Sequence, residues 1–216
     1  MVMRLAILIS GRGSNMLALE EALAPHQDKG RIDLVIADKS CAGLALAKER
    51  GLKIGQIDYA ARGKKDAEAE LAEMLEAAEI DMILLAGFMR VLSAAFVARF
   101  EGRIINIHPS LLPKYKGLNT HQRALDAGDS EHGVSVHLVT AGLDEGPLIA
   151  QASVPIYPED DETSLSERLL PAEHALYAMV IITLLKGTLI LTAQGAKWQE
   201  MPDEPLAAGD LLYPSR

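Results

Sequence analysis

Short continuous apolar runs alternate with segments of helical period along the first half of this chain. The runs are Leu5 to Ile9, Leu34 to Ala37, Met82 to Ala86 and Ile104 to His108. Such a run is typical of a strand that is buried on both faces, as in a parallel sheet. The intervening segments are rich in Ala and Glu and predict covering helices at residues 44–50, 66–79 and 94–100. The alternation predicts a doubly wound α/β fold, with a mostly parallel sheet and helices on both faces.

The pattern of apolar and polar residues changes after about residue 130. Val134 to Leu138 alternates between apolar and polar residues, and Ile149 to Ile156 is a second strand candidate. Ser164 to Lys186 has the pattern of a long helix that ends at Gly187. We therefore expect the sheet to gain an antiparallel strand in the C-terminal half.

Length and charge restrict the class of protein. A chain of 216 residues with 49% hydrophobic content suits a single domain, 1–216, with 202–216 as a loosely held polar tail. The net charge of −9 argues against nucleic acid as a partner, because phosphate binding depends on clustered Lys and Arg. The single Cys41 fits a reducing cytosol. The apolar N-terminus is too short to span a membrane and predicts the first strand of a cytoplasmic protein.

Two polar residues interrupt the apolar strand pattern at residues 104–108. Asn106 and His108 are two positions apart, so they project from the same face of a strand that stops at Pro109. A buried strand rarely accepts two polar side chains on one face, and open α/β sheets bind ligands at the carboxyl ends of their strands. The pair therefore predicts a functional site.

A glycine turn follows the first predicted strand. Ser10 to Asn15 contains Gly11 and Gly13 and leads into a helical segment, 16–24, whose N-terminus can bind an anion. The alternative is a tight turn in which Ser14 or Asn15 caps the helix. Asp38 can imitate the ribose-binding acid of a nicotinamide site, but Met16 stands where that fingerprint has its third glycine.

Two loops are candidates for completing the site. Residues 109–117 contain two prolines and a glycine, so they predict a structured loop over Asn106 and His108 that excludes water. Residues 140–147 offer Asp144 among glycines. A carboxylate near His108 would favour the protonated ring and fix its orientation, although a purely structural ion pair is the alternative.

The other polar clusters predict structure instead of chemistry. His137 lies in an alternating strand and is expected to be a hydrogen-bonded structural histidine. The spacing of His121, His132 and His174 is not that of a metal site, so we expect no metal. Residues 159–162 form an acidic run, which predicts a solvated loop before a helix that Ser164 caps.

Five separated motifs together resemble the glycinamide ribonucleotide formyltransferase family of folate-dependent enzymes. They are Ile9-Ser10-Gly11-Arg12-Gly13-Ser14-Asn15, Leu85-Ala86-Gly87-Phe88-Met89-Arg90, Asn106-Ile107-His108-Pro109-Ser110-Leu111-Leu112-Pro113, Gly133-Val134-Ser135-Val136-His137 and Leu143-Asp144-Glu145-Gly146-Pro147. The third motif marks folate-dependent formyl transfer in general. The resemblance spans nearly the whole chain.

The resemblance implies the reactants and the roles of individual residues. A formyl group would pass from 10-formyltetrahydrofolate, the cosubstrate, to the amine of glycinamide ribonucleotide, with Asn106, His108 and Asp144 as catalytic residues. The residues implied for the ribonucleotide are Gly13, Ser14, Asn15, Gly87 and Glu173. Those implied for the folate are Lys64, Met89, Arg90, Val91, Leu92, Asn106, Thr140, Ala141, Gly142, Leu143 and Asp144. Met89 and Leu92 also fit ordinary core positions.

The resemblance also divides the chain and leaves alternatives. Residues 1–100 would be mainly the nucleotide-binding half and 101–200 mainly the catalytic and folate-binding half of a monomer or weak homodimer. One alternative is a formyltetrahydrofolate hydrolase, expected to carry an N-terminal regulatory domain. Another is a formyltransferase acting on methionyl-tRNA, expected to carry a C-terminal domain, or on an amino sugar. A nicotinamide-dependent oxidoreductase or a nucleotide-sensing module is the remaining alternative, supported by Gly11, Gly13 and Asp38.

Overall fold

The structure is a computed structural model that describes residues 2–192, 195–200 and 210–212. The chain divides into two compact units, residues 1–106 and 107–216. The boundary falls inside a strand, so each unit is described by itself. The functional halves 1–100 and 101–200 stay a prediction.

The first unit contains parallel strands in the order β5-β4-β1-β2-β3. They are β1 (Met3–Ile9), β2 (Gly30–Ala37), β3 (Ile54–Gln56), β4 (Met82–Leu85) and the beginning of β5 (Ile104–His108). The apolar run of β1 is fully buried between its neighbours, as the sequence predicts for a central parallel strand. Because β1 lies between β2 and β4, the strand order reverses there, and the segments after β1 and β4 meet at one edge.

Helices connect these strands. They are α1 (Ser14–Leu23), α2 (Ala42–Glu49), α3 (Tyr59–Ala77) and α4 (Ala94–Arg99), with a short 3₁₀ turn at Ala24–His26. The predicted start of the third helix, residue 66, is wrong. The Asp58 carboxylate accepts the N–H groups of Ala60 and Ala61 and starts the helix at Tyr59, and the chain then passes a non-helical Gly63.

The second unit contains antiparallel strands and a long helix. Its elements are α5 (Thr120–Asp126), β6 (Glu131–Leu138), β7 (Leu148–Pro155), α6 (Glu162–Lys186), β8 (Leu189–Thr192), β9 (Gly195–Trp198) and β10 (Asp210–Leu212). β7 pairs antiparallel with β6 and with β10, and β8 pairs antiparallel with β9. The predicted class, a mostly parallel α/β sheet with an antiparallel addition in the C-terminal half, is confirmed.

The helix α6 begins at a capping box that differs from the prediction. Asp161 is the N-cap residue: its carboxylate accepts the N–H of Ser164, whose hydroxyl accepts the N–H of Asp161 in return. The acidic run is not wholly solvated either, because the Asp160 side chain is only 2% exposed and accepts two hydrogen bonds from Arg168. Gly187 ends the helix in the left-handed conformation, as predicted.

Two further observations concern α6 and the C-terminus. In the described part of the chain, α6 alone is long and apolar enough to cross a membrane by length and composition. It packs against β6 and β7, which is typical of a core helix. Residues 210–212 of the predicted loose tail pair with β7, so these three are not loosely held. The remainder of 202–216 lies outside the described residues.

Candidate active site

The turn after β1 is shaped by close glycine packing and not by a side-chain cap. Gly13 is the N-cap residue of α1, with φ = 81°, and no side chain caps this helix, so the expectation that Ser14 or Asn15 caps it is wrong. Gly43 of α2 donates its N–H to the Gly11 carbonyl at 2.9 Å and lies against Gly13. Ser14 and Asn15 are half-buried in the first turn of the helix. This is an arrangement that can receive an anion.

The segment after β4 is tied to the same turn through Ser10, a buried residue to which sequence reasoning gave no role. The Ser10 hydroxyl accepts the Met89 N–H at 2.8 Å, and the Ser10 N–H donates to the Gly87 carbonyl at 3.1 Å. Gly87 has φ = 74°. The structure therefore brings the predicted ribonucleotide residue Gly87 close to the glycine turn. The sequence signals for Ser10 were its place at the end of an apolar run and in the first motif, and neither indicates a partner for its hydroxyl.

Four of the predicted folate residues line one cavity of ≈ 300 Å³. Its lining consists of Lys64, Met89, Arg90, Val91 and Tyr59. Tyr59 was missed by sequence reasoning, because an aromatic residue at a helix start looks like core. Leu92 is buried and is not part of this lining. Asp38, the candidate ribose-binding acid, instead accepts a hydrogen bond from Arg90 Nε at 2.6 Å.

His108 lies at the end of β5 with both ring nitrogens facing oxygen atoms. Its side chain is buried, Nε2 is 3.0 Å from the carbonyl oxygen of Tyr115, and Nδ1 is 3.5 Å from Oδ2 of Asp144. Only the imidazolium form has N–H groups on both nitrogens, so only this form directs a donor at each acceptor. Asn106, two positions earlier in β5, is half-buried and makes a polar interaction of its own.

Asp144 lies in the loop before β7 and is held in place by the backbone of the loop at residues 109–117. It has φ = 50°, and its Oδ2 accepts the Gly117 N–H at 2.8 Å. Its other oxygen, Oδ1, is 3.7 Å from Nε2 of His137. The prediction that a carboxylate lies near His108 is confirmed. Thr140, Ala141, Gly142 and Leu143 belong to the same loop, and Leu143 is about half exposed.

His137 has the structural contacts that its position in the strand predicts. Its Nδ1 is 2.8 Å from the Leu138 carbonyl, so Nδ1 carries the proton of the neutral ring. Burial lowers the pKa of His137, against the opposing influence of the Leu138 carbonyl and Asp144. The ring nevertheless approaches Asp144, a contact that sequence reasoning missed. A neutral His137 leaves the negative charge of Asp144 uncompensated on that side.

Polar side chains of β6 and β7 hold the loop at residues 109–117 in place. The Ser135 hydroxyl donates to the Ser110 carbonyl at 2.6 Å and accepts the Leu112 N–H at 3.0 Å. Gln151 Nε2 donates to the Leu112 carbonyl at 3.0 Å. The Tyr115 hydroxyl donates to Asp129. The loop is structured, as predicted, and its carbonyl at Tyr115 covers His108.

The remaining predicted residues take different positions. Glu173 lies half-buried on α6, where it makes a polar interaction, and its ribose-binding role stays a prediction. His121 Nδ1 is 3.1 Å from His132 Nε2. Burial, and then His121, lower the pKa of His132 to about 4. Among residues 2–192, 195–200 and 210–212, no three potential metal ligands form a group.

Comparison with known proteins gives the class to which this fold and site belong. Residues 3–181 match the family model described as formyl transferase, and the chain belongs to this family. The match includes β5, the loop after it and Asp144. The membership that the five motifs predict is therefore confirmed.

Within the family, the chain is similar to phosphoribosylglycinamide formyltransferases. It is 42% identical to the one from Escherichia coli (strain K12), over 96% of this chain and 100% of the relative. It is 47% identical to the trifunctional purine biosynthetic protein adenosine-3 of Drosophila melanogaster, over 88% of this chain and 14% of that longer protein. The crystal structure of glycinamide ribonucleotide transformylase 1 from Symbiobacterium toebii superposes with a TM-score of 0.86 at 37% identity, covering 92% of this chain and 95% of that one.

Proposed function

We propose that this protein transfers the formyl group of 10-formyltetrahydrofolate to the primary amine of glycinamide ribonucleotide, giving formylglycinamide ribonucleotide and tetrahydrofolate in purine synthesis. The observation that carries the proposal is the buried His108, whose Nδ1 faces Asp144 at 3.5 Å. Family membership and the phosphoribosylglycinamide formyltransferase relatives support it. We also propose that the protein is cytoplasmic and acts as a monomer or weak homodimer.

The chemistry explains why such a histidine is needed. The amine nitrogen attacks the formyl carbon, forming a C–N bond and a tetrahedral carbon that bears an oxyanion. The bond from that carbon to N10 of the folate then breaks, while a proton leaves the amine and N10 gains one. We propose that the Asn106 amide and the His108 imidazolium donate hydrogen bonds to the oxyanion, and that His108, directly or through a water, carries the proton. Asp144 orients His108 and stabilises its charge.

The binding roles follow the segments that the fold assembles. We propose that Gly13, Ser14 and Asn15 receive the 5′-phosphate of the ribonucleotide, with Gly87 beside them, because the glycine turn presents the N–H groups and the dipole of a helix start. Glu173 is proposed for the ribose. The folate is proposed to lie along Lys64, Met89, Arg90, Val91 and Leu92, with Thr140 to Asp144 facing the pterin. No metal takes part in this proposal.

The test is a formyl-transfer assay that follows absorbance as 10-formyltetrahydrofolate is mixed with the protein, with and without glycinamide ribonucleotide. Turnover should require the ribonucleotide. In His108→Ala, kcat should fall on the order of 10²–10³-fold, the usual cost of one oxyanion donor. The matched control is His26→Ala, because His26 lies in the short 3₁₀ turn of the first unit.

Three outcomes would contradict the proposal. Cosubstrate consumption without the ribonucleotide would indicate the hydrolase reaction instead. Full turnover in His108→Ala would remove the proposed catalytic role. No reaction in either mixture would exclude glycinamide ribonucleotide as the acceptor.

A further inference from the structure

The peptide group between Lys116 and Gly117 is held at both of its ends by charged side chains. At the oxygen end, Arg123 Nη1 donates to the Lys116 carbonyl at 2.7 Å. At the nitrogen end, the Gly117 N–H donates to Oδ2 of Asp144 at 2.8 Å. The carbonyl and the N–H of a trans peptide lie in one plane and point in opposite directions. One rigid group therefore joins the Arg123 guanidinium to the Asp144 carboxylate.

The backbone of this segment needs contacts to keep its conformation. Gly117 has φ = 79°, and a glycine adopts a negative φ about as readily. Rotation of the peptide plane would turn the Gly117 N–H away from Asp144. Tyr115 and Asn119, on either side, have φ = 54° and 58°, which L side chains rarely adopt. A contact on the Lys116 carbonyl opposes rearrangement of the segment, and Arg123 supplies it.

Arg123 is itself oriented by its neighbours, although it is exposed on α5 and sequence reasoning gave it no role. Its Nη1 also donates to the Leu118 carbonyl at 3.3 Å. Its guanidinium lies over the Tyr115 ring, 5.2 Å from the ring centre. The Tyr115 hydroxyl donates to Asp129 at 2.8 Å, which fixes that ring. These contacts set the direction of the guanidinium and aim it at the loop backbone.

The Asp144 oxygen that accepts the Gly117 N–H is the one that faces His108. Oδ2 of Asp144 is 3.5 Å from His108 Nδ1. We infer that Arg123 is a positioning residue, which holds the peptide group of Lys116 and Gly117 so that its N–H keeps Asp144 directed at His108. The charge of Arg123 also polarises this peptide group, which strengthens its hydrogen bond to the carboxylate. The inference rests on the proposed function, in which Asp144 orients His108.

The first experiment compares Arg123→Ala with Gln122→Ala in the formyl-transfer assay. In Arg123→Ala, kcat should fall by about tenfold, because a small displacement of an orienting group lowers the rate this much. The KM for each reactant should stay within about threefold. Gln122 is the matched control, because it is the adjacent exposed residue of α5 and its side chain donates to Asp126 of the same helix. Gln122→Ala should keep the parent kcat.

Two further variants test whether Arg123 acts through the proposed path. Arg123→Lys keeps a charged donor for one carbonyl but loses the planar guanidinium, so its kcat should lie between those of the parent and Arg123→Ala. In a protein that already carries His108→Ala, adding Arg123→Ala should lower kcat by less than about twofold, because the ring on which Arg123 acts is absent.

Hydrogen exchange measures the position of the peptide group without catalysis. Exchange of the Gly117 N–H, followed by NMR, should accelerate by roughly tenfold in Arg123→Ala and should not change in Gln122→Ala. Alanine is a good helix former at an exposed position, so the melting temperature should stay close to that of the parent. Arg123→Lys retains the test if Arg123→Ala does not fold.

The outcomes separate this inference from the proposed function. Unchanged kcat in Arg123→Ala, or the same loss with and without His108, would overturn the inference while formyl transfer stands. Failure of the parent protein to transfer a formyl group would overturn the proposed function. In that case, hydrogen exchange decides the inference: faster exchange of the Gly117 N–H in Arg123→Ala alone supports it, and equal exchange in the parent and both alanine variants refutes it.

Discussion

Replacing Gly43 by alanine should weaken ribonucleotide binding without disturbing the helix that contains it. An added Cβ would lie 2.9 Å from the Gly11 carbonyl oxygen and 2.9 Å from the Gly13 Cα. Gly43 does not adopt a positive φ, so alanine fits its helical backbone. The strain therefore falls on the glycine turn that we propose for the phosphate.

The size of the effect follows from these distances. Ordinary contacts of a Cβ begin near 3.4 Å, so the turn must move by about 0.5 Å. Adding a methyl group to a close-packed position costs roughly 1–3 kcal/mol, which corresponds to about a fivefold to hundredfold change in binding. Alanine also favours the helix by about 1 kcal/mol relative to glycine. The two effects oppose each other in the free energy of unfolding but not in ribonucleotide binding.

The assay is steady-state formyl transfer, with each reactant varied in turn. The KM for the ribonucleotide should rise by about tenfold in Gly43→Ala, whereas the KM for the folate should stay within about twofold. Ala45→Ser, at an exposed position on the same helix, is the control. An unchanged KM for the ribonucleotide would refute the reasoning. An equal rise in both KM values, together with a lower melting temperature, would show general destabilisation instead.

Three further predictions concern the second unit. Asp144→Asn should lower kcat by about 10²-fold or more in the transfer assay, while circular dichroism stays unchanged, because the charge beside His108 is lost but an oxygen acceptor remains. The unfolding free energy should fall by roughly 3 kcal/mol as the pH is lowered from 6.5 to about 4, because unfolded His132 binds a proton that the buried ring does not. His132→Gln should reduce this dependence of the unfolding free energy on pH, measured by urea titration at each pH. Ser135→Ala should cost about 1–3 kcal/mol of stability in thermal unfolding, because it removes a buried hydroxyl that bonds the Ser110 carbonyl, the Leu112 N–H and the Gln151 amide, and unchanged stability would contradict the role of that hydroxyl.

Local patterns in the sequence predicted the strands better than the helix starts. The strand at residues 104–108 has the predicted bounds, because its apolar run stops at a proline that no parallel strand can include. The start of α1 was not predicted correctly, because the cap depends on the close approach of Gly43, a residue from another helix. Asp160 was expected in solvent, because nothing in an acidic run shows that Arg168, eight residues later, will pair with its carboxylate.

The site was predictable only as far as its side chains carry a motif. The resemblance paired His108 with Asp144 across 36 positions, and the structure confirms that they meet. The contact of Ser10 with Met89 could not be predicted, because it joins a hydroxyl to a backbone N–H, and nothing in the sequence selects that N–H. The Tyr115 carbonyl that faces His108 could not be predicted either, because every residue has a carbonyl and only the folded loop selects one.

That carbonyl determines how the proposed reaction must begin. His108 Nδ1 faces Asp144, so in the proposed reaction Nε2 is the nitrogen that would donate to the formyl oxygen. The Tyr115 carbonyl oxygen already lies 3.0 Å from Nε2. In the proposed reaction, the substrate would therefore enter by exchanging one oxygen acceptor of Nε2 for another. The neutral carbonyl oxygen of Tyr115 holds the place that the charged oxyanion of the proposed reaction would take. Because a charged acceptor binds the same N–H more strongly, the exchange grows more favourable as the negative charge develops.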